Sequence, residues 1–296
     1  MSNEIIESAE SAINSGDIEL AESMLPKIPE GGQFFVKSLI SISQSDIESA
    51  LDSVEKCINI VRSPKTRDAI LEARAKMIRG LVRTSIGEVT EGGADLRWAM
   101  DRLGAISTGS DEHGISILNV AAWHRQQSEM VMSLATHSEI ARELTHSPEI
   151  VAISRQRVAS IHSELEDYVG ALRHYWTSWK LSVECGIDAI AEVSCLHILD
   201  LGLTEVTETA IPLDEQIANA TPRTKTGKSS AIIHPNDLLQ ALTWITPRSL
   251  EDISQKHRPD LSLIVESHNT LSIKLPEQLT DNIHLIQDPE VVKLLQ

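Results

Sequence analysis

Aromatic residues make up only 3% of this 296-residue chain, so its core must be assembled from Leu, Ile, Val and Ala. Glycine (14) and proline (11) are also sparse, which disfavours a turn-rich sandwich and suits long helices. Three cysteines, Cys57, Cys185 and Cys195, make no even-numbered disulfide framework and suit a reducing compartment. No stretch approaches the roughly 18 consecutive apolar residues of a membrane helix. The opening MSNEIIESAE lacks the apolar segment of a secretory signal. A cytoplasmic protein is expected. Basic residues are the last shortage: 26 against 43 acids, a net charge of −17. A chain that binds nucleic acid or an anionic membrane must supply positive charge to release counterions, so neither partner is expected.

What the chain does have is helical periodicity. From Ile153 to Leu181, Val158, Ile161 and Leu165 mark one apolar stripe, and Ala171, Leu172, Tyr175, Ser178 and Trp179 mark a second. Ala159, Ala171 and Ser178 are small where two helices must cross, and Tyr168 and Tyr175 are large where a gap must be filled. The same helix–corner–helix pattern recurs upstream. Gly16 and Asp17 break a helix carrying Ile5, Ile6, Ala9 and Ile13, and start one carrying Leu20, Ala21, Met24 and Leu25. Ser45-Asp46 repeats that corner with Ala50 after it. A third unit, about 66–103, contains Gly80, Gly87 and Gly92, where close backbone approach would offset the helix cost of glycine or Gly92-Gly93 would interrupt the helix.

On these residues, and most specifically over 153–181, the chain resembles the tetratricopeptide repeats. Gly16, Asp17, Ile18 and Ala21 fall in the family's slots at the start of a second helix. The small residues Ala21, Ala50, Gly92, Leu134 and Ala171 serve as repeat anchors, with spacings that scatter around the strict period of about 34 residues. The resemblance implies degenerate repeats and a binding scaffold. The expected fold is therefore mainly α: a right-handed α-solenoid of five to six tetratricopeptide-like helix pairs over residues 1–220. A polar linker at 221–230 (TPRTKTGKSS) and a small α+β unit or cap at 231–296 would follow. Residues 203–220 read as two short helices around Pro212. In the last segment, helices are expected at 237–245 and 249–256, then a hairpin pairing LSLIVE at 261–266 with TLSIKL at 270–275.

Chemistry-bearing patterns are weak. Thr226-Gly227-Lys228-Ser229 has Pro222 where a phosphate loop needs its first glycine, so a flexible basic linker is the better reading. Cys185, Cys195 and His197 lack the paired short steps of structural zinc sites. Glu143 and His146 make one Glu-x-x-His step where a di-iron bundle needs two. No catalytic residue, metal or cofactor is expected. The C-terminal order also resembles a winged helix after helical repeats, as in PCI-type assembly subunits, but 231–296 holds 5 bases against 9 acids and PDLSLIVE favours strand.

Charge is uneven. Residues 1–55 hold 11 acids and 2 bases, whereas 65–102 hold 8 bases and 6 acids. Those bases either pair within the chain or face an acidic partner. In the family geometry the first helix of each pair lines the concave surface. Arg74, Asn119, Trp123 and Arg157 are accordingly expected to contact a partner peptide, with Trp123 either an interface anchor or a core residue. The expected function is a non-catalytic protein-interaction scaffold. The alternatives are a ligand-sensing domain or enzyme with a pocket between the array and the C-terminal unit, and the PCI-like subunit.

Overall fold

A computed structural model describes residues 2–140, 146–220, 227–251 and 253–295. The described residues are mainly helical and contain no strand, only two isolated parallel bridges. Contacts divide the chain into one unit over residues 1–146 and another over 147–296.

The described residues of the first unit form four helix pairs: α1 (Ser2–Asn14) with α2 (Ile18–Met24), α3 (Glu30–Ser43) with α4 (Ile47–Arg62), α5 (Ala69–Ser85) with α6 (Val89–Ile106), and α7 (Asp111–Gln126) with α8 (Met130–His137). Each corner is built alike. A residue in the left-handed region, Gly16, Ser45, Gly87 or Ser128, ends the first helix. An acidic residue follows, and its amide reaches back five residues to the helix carbonyls of Ala12, Ser41, Arg83 and His124 at 2.8–2.9 Å. Asp17 and Asp46 then accept the Leu20 and Ser49 amides, both at 3.0 Å, capping the second helix. Glu166-Asp167 repeats the corner in the second unit, with the Asp167 amide donating to His162 O at 2.9 Å and Glu166 at φ 59°. This recurrence makes the fold a helical repeat.

Serine at φ 62° and 61° bears a Cβ that glycine lacks. Ser45→Gly and Ser128→Gly are each expected to stabilise the 1–146 unit by about 0.5–1 kcal/mol. Urea midpoints at or below wild type for both would contradict that account.

The crossings explain the small residues. A Cβ on Gly80 would meet the Gly92 carbonyl at 2.8 Å, and one on Gly92 would meet the Gly80 carbonyl at 2.7 Å. Both contacts are backbone and cannot swing away, so α6 runs unbroken through Gly92-Gly93. At the fourth crossing the small residue is Ser133, not Leu134. Its buried hydroxyl donates to Ala121 O at 2.8 Å, as Ser178 does to Ala152 O at 2.9 Å in the fifth pair.

The second unit opens with α9 (Pro148–Glu164) and α10 (Tyr168–Cys185). After these come α11 (Asp188–Gly202), α12 (Leu213–Ala218), α13 (Pro235–Ser249), α14 (Pro259–Thr270), α15 (Glu277–Asp281) and α16 (Pro289–Leu295). One core joins Ala159, Leu172, Tyr175 and Trp179 to Ile198, Ile233, Leu242, Ile264 and Val291. Residues 231–295 therefore share a core with the fifth helix pair, and the contacts divide the chain at 146/147 rather than at 221–230. Residues 221–226 of the expected linker lie outside the described residues.

Three expectations are corrected here. The segment read as LSLIVE and TLSIKL strands is α14 followed by an irregular stretch. Leu261, Ile264, Val265 and His268 are all buried and recur at i, i+3, i+4 and i+7, and Pro259 occupies the first turn. The β-branched run obscured that stripe. Among the described residues of 249–256 no separate helix forms, because α13 continues through Pro247 to Ser249. Of the two helices expected in 203–220, only α12 is present. Among its described residues the C-terminal segment thus lacks the strands of the expected α+β unit, and equally those of the winged-helix alternative.

Candidate functional site

The residues expected to meet a partner lie in both units. Arg74, on α5, forms an ion pair with Glu10 and stacks over the Phe35 ring at 4.9 Å. Asn119 lies half-buried on α7. Trp123 is 9% exposed and packs with Met77, Leu96, Ala99 and Val120. Its indole N–H donates to Val89 O at 3.1 Å, its ring lies against Gly93, and Arg97 covers it at 4.8 Å. Trp123 is the core residue of the two readings. Arg157 is half-buried on α9, in the second unit.

The basic stretch 65–102 is largely paired within the chain. Arg79 grips Asp95 with two bonds of 2.8 and 2.7 Å, and Arg83 adds a third at 3.0 Å. Buried Glu72 holds Arg62 at 2.6 Å and Arg67 at 3.0 Å. Lys76 lies 3.7 Å over the Trp98 ring, and burial, followed by repulsion from Arg62, lowers its pKa. Intramolecular pairing therefore accounts for most of this cluster.

The other patterns also find structural roles. Burial pushes the Cys57 thiol up to about 12, reinforced by Asp68. Burial raises that of Cys195 too, whose thiol sits 3.3 Å from Ala241 O. His197 stacks on Tyr175 at 4.7 Å. Of the glycine–lysine–serine motif, Lys228 pairs with Glu166 at 2.6 Å, while the Ser229 hydroxyl donates to buried Asp167 at 2.9 Å and accepts from the Val169 amide at 3.0 Å. Thr226 and Glu143 lie outside the described residues. His146 is buried, its ring 5.4 Å from that of His113. Among the described residues, no three His, Cys, Asp or Glu side chains converge as metal ligands, and no helix is long and apolar enough to cross a membrane.

Burial lowers the pKa of His113, His174, His197 and His268 below 6.5, with His146 adding to the shift at His113 and Arg155 to that at His174. A depressed histidine means that the unfolded chain binds the proton first. Stability is then present above the unfolded value and falls as pH drops through about 6.5. Unfolding temperature is expected to decrease between about pH 7.5 and 5.5, before carboxylates titrate. Constant stability over that interval would contradict neutral burial of these rings.

Sequence reasoning missed a cleft of about 500 Å³ in the 147–296 unit, bordered by α10, α12 and the connection at 205–211. Its walls come from residues far apart in the chain, and its polar members belong to a stretch without periodicity.

No protein-family model matches the chain, and no curated protein matches it. Among solved structures it is similar to one described as the crystal structure of the apo form of RapI. The identity is 11% and the TM-score 0.49, over 94% of this chain and 79% of that one.

Proposed function

We propose that the chain is a non-catalytic, cytoplasmic protein-interaction scaffold, with the four pairs of the 1–146 unit forming a right-handed tetratricopeptide-like array. The supporting observation is the corner that recurs in every pair. It orients successive helices alike, so that each pair packs on its chain neighbours and the row keeps a continuous solvent face. Such a face receives an extended peptide or a helix from a partner. Leu81 on α5 and Ile115 on α7 are exposed apolar side chains of that row, at 39% and 41%.

Asn119 in the 1–146 unit and Arg157 in the second unit, both half-buried, remain proposed contacts, Arg157 alongside the interactions it already makes. Arg74 would reach an acidic partner only in competition with Glu10, and Trp123 would act by supporting the face from beneath. The test is affinity capture from native cells, followed by reconstitution of the purified pair. Leu81→Asp and Asn119→Ala should each weaken the reconstituted complex at unchanged melting temperature. Recovery of a tightly bound small molecule, with no partner that reconstitutes, would overturn the scaffold reading.

A further inference from the structure

One face of the 1–146 unit keeps two cations that no carboxylate answers. Glu72, Lys76, Arg79 and Arg83 recur at i, i+4, i+7 and i+11 on α5 and so form one stripe. α4 flanks the stripe through Glu55 and Arg62, and α6 flanks it through Asp95 and Trp98. Arg102 follows Trp98 by four residues and shares its side of α6. Most of the charge here is paired. Arg79 and Arg83 hold Asp95 and lie 3.7 and 3.5 Å from Glu55, and Arg83 also reaches Glu88 at 3.6 Å. Arg62 and Arg67 are committed to Glu72. Four arginines thus balance four carboxylates, and Lys76 and Arg102 are the excess.

Lys76 is only 9% exposed, yet among the described residues its ammonium forms neither an ion pair nor a hydrogen bond, and rests on the Trp98 ring at 3.7 Å. Burial and repulsion from Arg62 and Arg79 outweigh the attraction of Asp95 and Glu72, so its pKa is lowered. Both of those carboxylates are already held by two arginines each. Arg102 is half-buried, forms no ion pair among the described residues, and has its Nε sealed from solvent without an acceptor. Holding such donors without an acceptor is unfavourable. In a chain of net charge −17, two such cations beside one tryptophan are a marked exception.

The excess selects a ligand by its sign. A cation would be repelled, and an apolar group would bury Lys76 further without giving it an acceptor. An anionic oxygen supplies the charge-assisted bond that both cations lack. The stripe runs about 16 Å from Glu72 to Arg83 at the helical rise, and its margins are open, with the side chains of Arg62, Arg67 and Glu55 about half exposed. An extended chain with several carboxylates fits that shape better than a single small ion. We propose that this face docks an acidic segment of a protein partner, whose carboxylates pair with Lys76 and Arg102 beside Trp98. The inference rests on the scaffold reading and adds to it a partner chemistry and a separate surface. Lys76 and Leu81 are five residues apart, about 140° around α5, so the two face different ways.

Titration calorimetry on the full chain tests it with hexaglutamate, hexaglutamine and inorganic phosphate as probes. Hexaglutamate is expected to bind saturably despite the net charge of −17, hexaglutamine is not, and affinity should fall as salt screens the contacts. Lys76→Met and Arg102→Gln should each weaken binding about tenfold or more, the cost of one charged hydrogen bond. Lys37→Gln removes an equal charge from an exposed position on α3 and should change nothing. Lys76→Met should also keep or raise the urea midpoint, since methionine retains the packing on Trp98 and removes the buried charge. Arg102→Gln keeps the test decisive even if Lys76→Met fails to fold. No saturable hexaglutamate heat up to about 1 mM, or binding indifferent to both substitutions, would overturn the proposal. So would tighter binding of phosphate than of hexaglutamate, lost in the same two variants, which would assign the face to phosphate groups. A reconstituted partner weakened by Leu81→Asp but by neither Lys76→Met nor Arg102→Gln would leave the scaffold standing and remove this face alone.

Discussion

Replacing Trp123 by alanine is expected to destabilise the 1–146 unit by about 3–5 kcal/mol. The indole fills the space between α6 and α7, where Gly93 leaves room for the ring, and Met77, Leu96, Ala99 and Val120 surround it. Alanine would leave a cavity that those neighbours cannot close, since α5 and α6 are already in backbone contact at Gly80 and Gly92. Trp123→Phe keeps one aromatic ring but loses the 3.1 Å bond to Val89 O and part of the indole volume against Gly93, so it should cost less than alanine but more than the roughly 1 kcal/mol of the bond alone. Urea denaturation of both variants measures the difference. A loss below about 1 kcal/mol for Trp123→Ala, outside the range for a buried aromatic, together with lost partner binding, would return Trp123 to the surface.

The second large effect is expected at Asp167. Its carboxylate is fully buried and caps α10 by accepting the Gly170 amide at 3.1 Å. It also takes the Ser229 hydroxyl at 2.9 Å and faces His162 Nδ1 at 3.0 Å. Burial alone would raise its pKa, but the hydrogen bonds from Gly170, Ser229 and His162 together outweigh burial and lower it. Asp167→Ala removes a cap worth about 1 kcal/mol and charge-assisted bonds worth about 1.5–3 kcal/mol. A total near 3 kcal/mol follows. Asp167→Asn keeps a good cap and should cost less. The Lys228–Ser229 segment loses one of its side-chain anchors in Asp167→Ala, so trypsin should cut after Lys228 faster than in wild type. Equal cleavage rates would mean that the Glu166 contacts of Lys228 and Ser229, with Ile233, hold the segment without Asp167.

The helix pairs were legible in the sequence because each signal is local. A left-handed residue followed by an acid closes every corner, and a small side chain marks each crossing, so Gly16-Asp17 and Ser45-Asp46 already name the elements they join. Even the exception is instructive: Ser133, one residue from the anchor read at Leu134, crosses by donating a hydroxyl to a backbone carbonyl, a bond that periodicity does not encode. The reading failed where local signals conflict. In Leu261–Val265 a β-branched composition suggests strand, whereas burial of one helical face against the core of the second unit decides for α14.

Site residues depended still more on the fold. The sequence established an excess of arginines in 65–102 but not their partners. Glu10 lies far from Arg74 in the chain, and only packing brings them together. Trp123 could be named an anchor or a core residue from its neighbours in sequence, and the glycine beneath its ring decided. The cleft on α10 was invisible for the same reason. Its guanidinium (Arg173), its carboxylate (Glu205) and its apolar wall come from separate segments, whose juxtaposition follows from core packing of Val206 and Ile233 rather than from any motif. The sequence by itself determined the helical-repeat character and the corners at Gly16-Asp17 and Ser45-Asp46, whereas Gly87, read as a crossing residue, and Ser128 were shown to be corners only by the fold. Tertiary structure alone decided which charges are satisfied, which large side chains are buried and where a cleft remains, because those outcomes depend on contacts between distant residues.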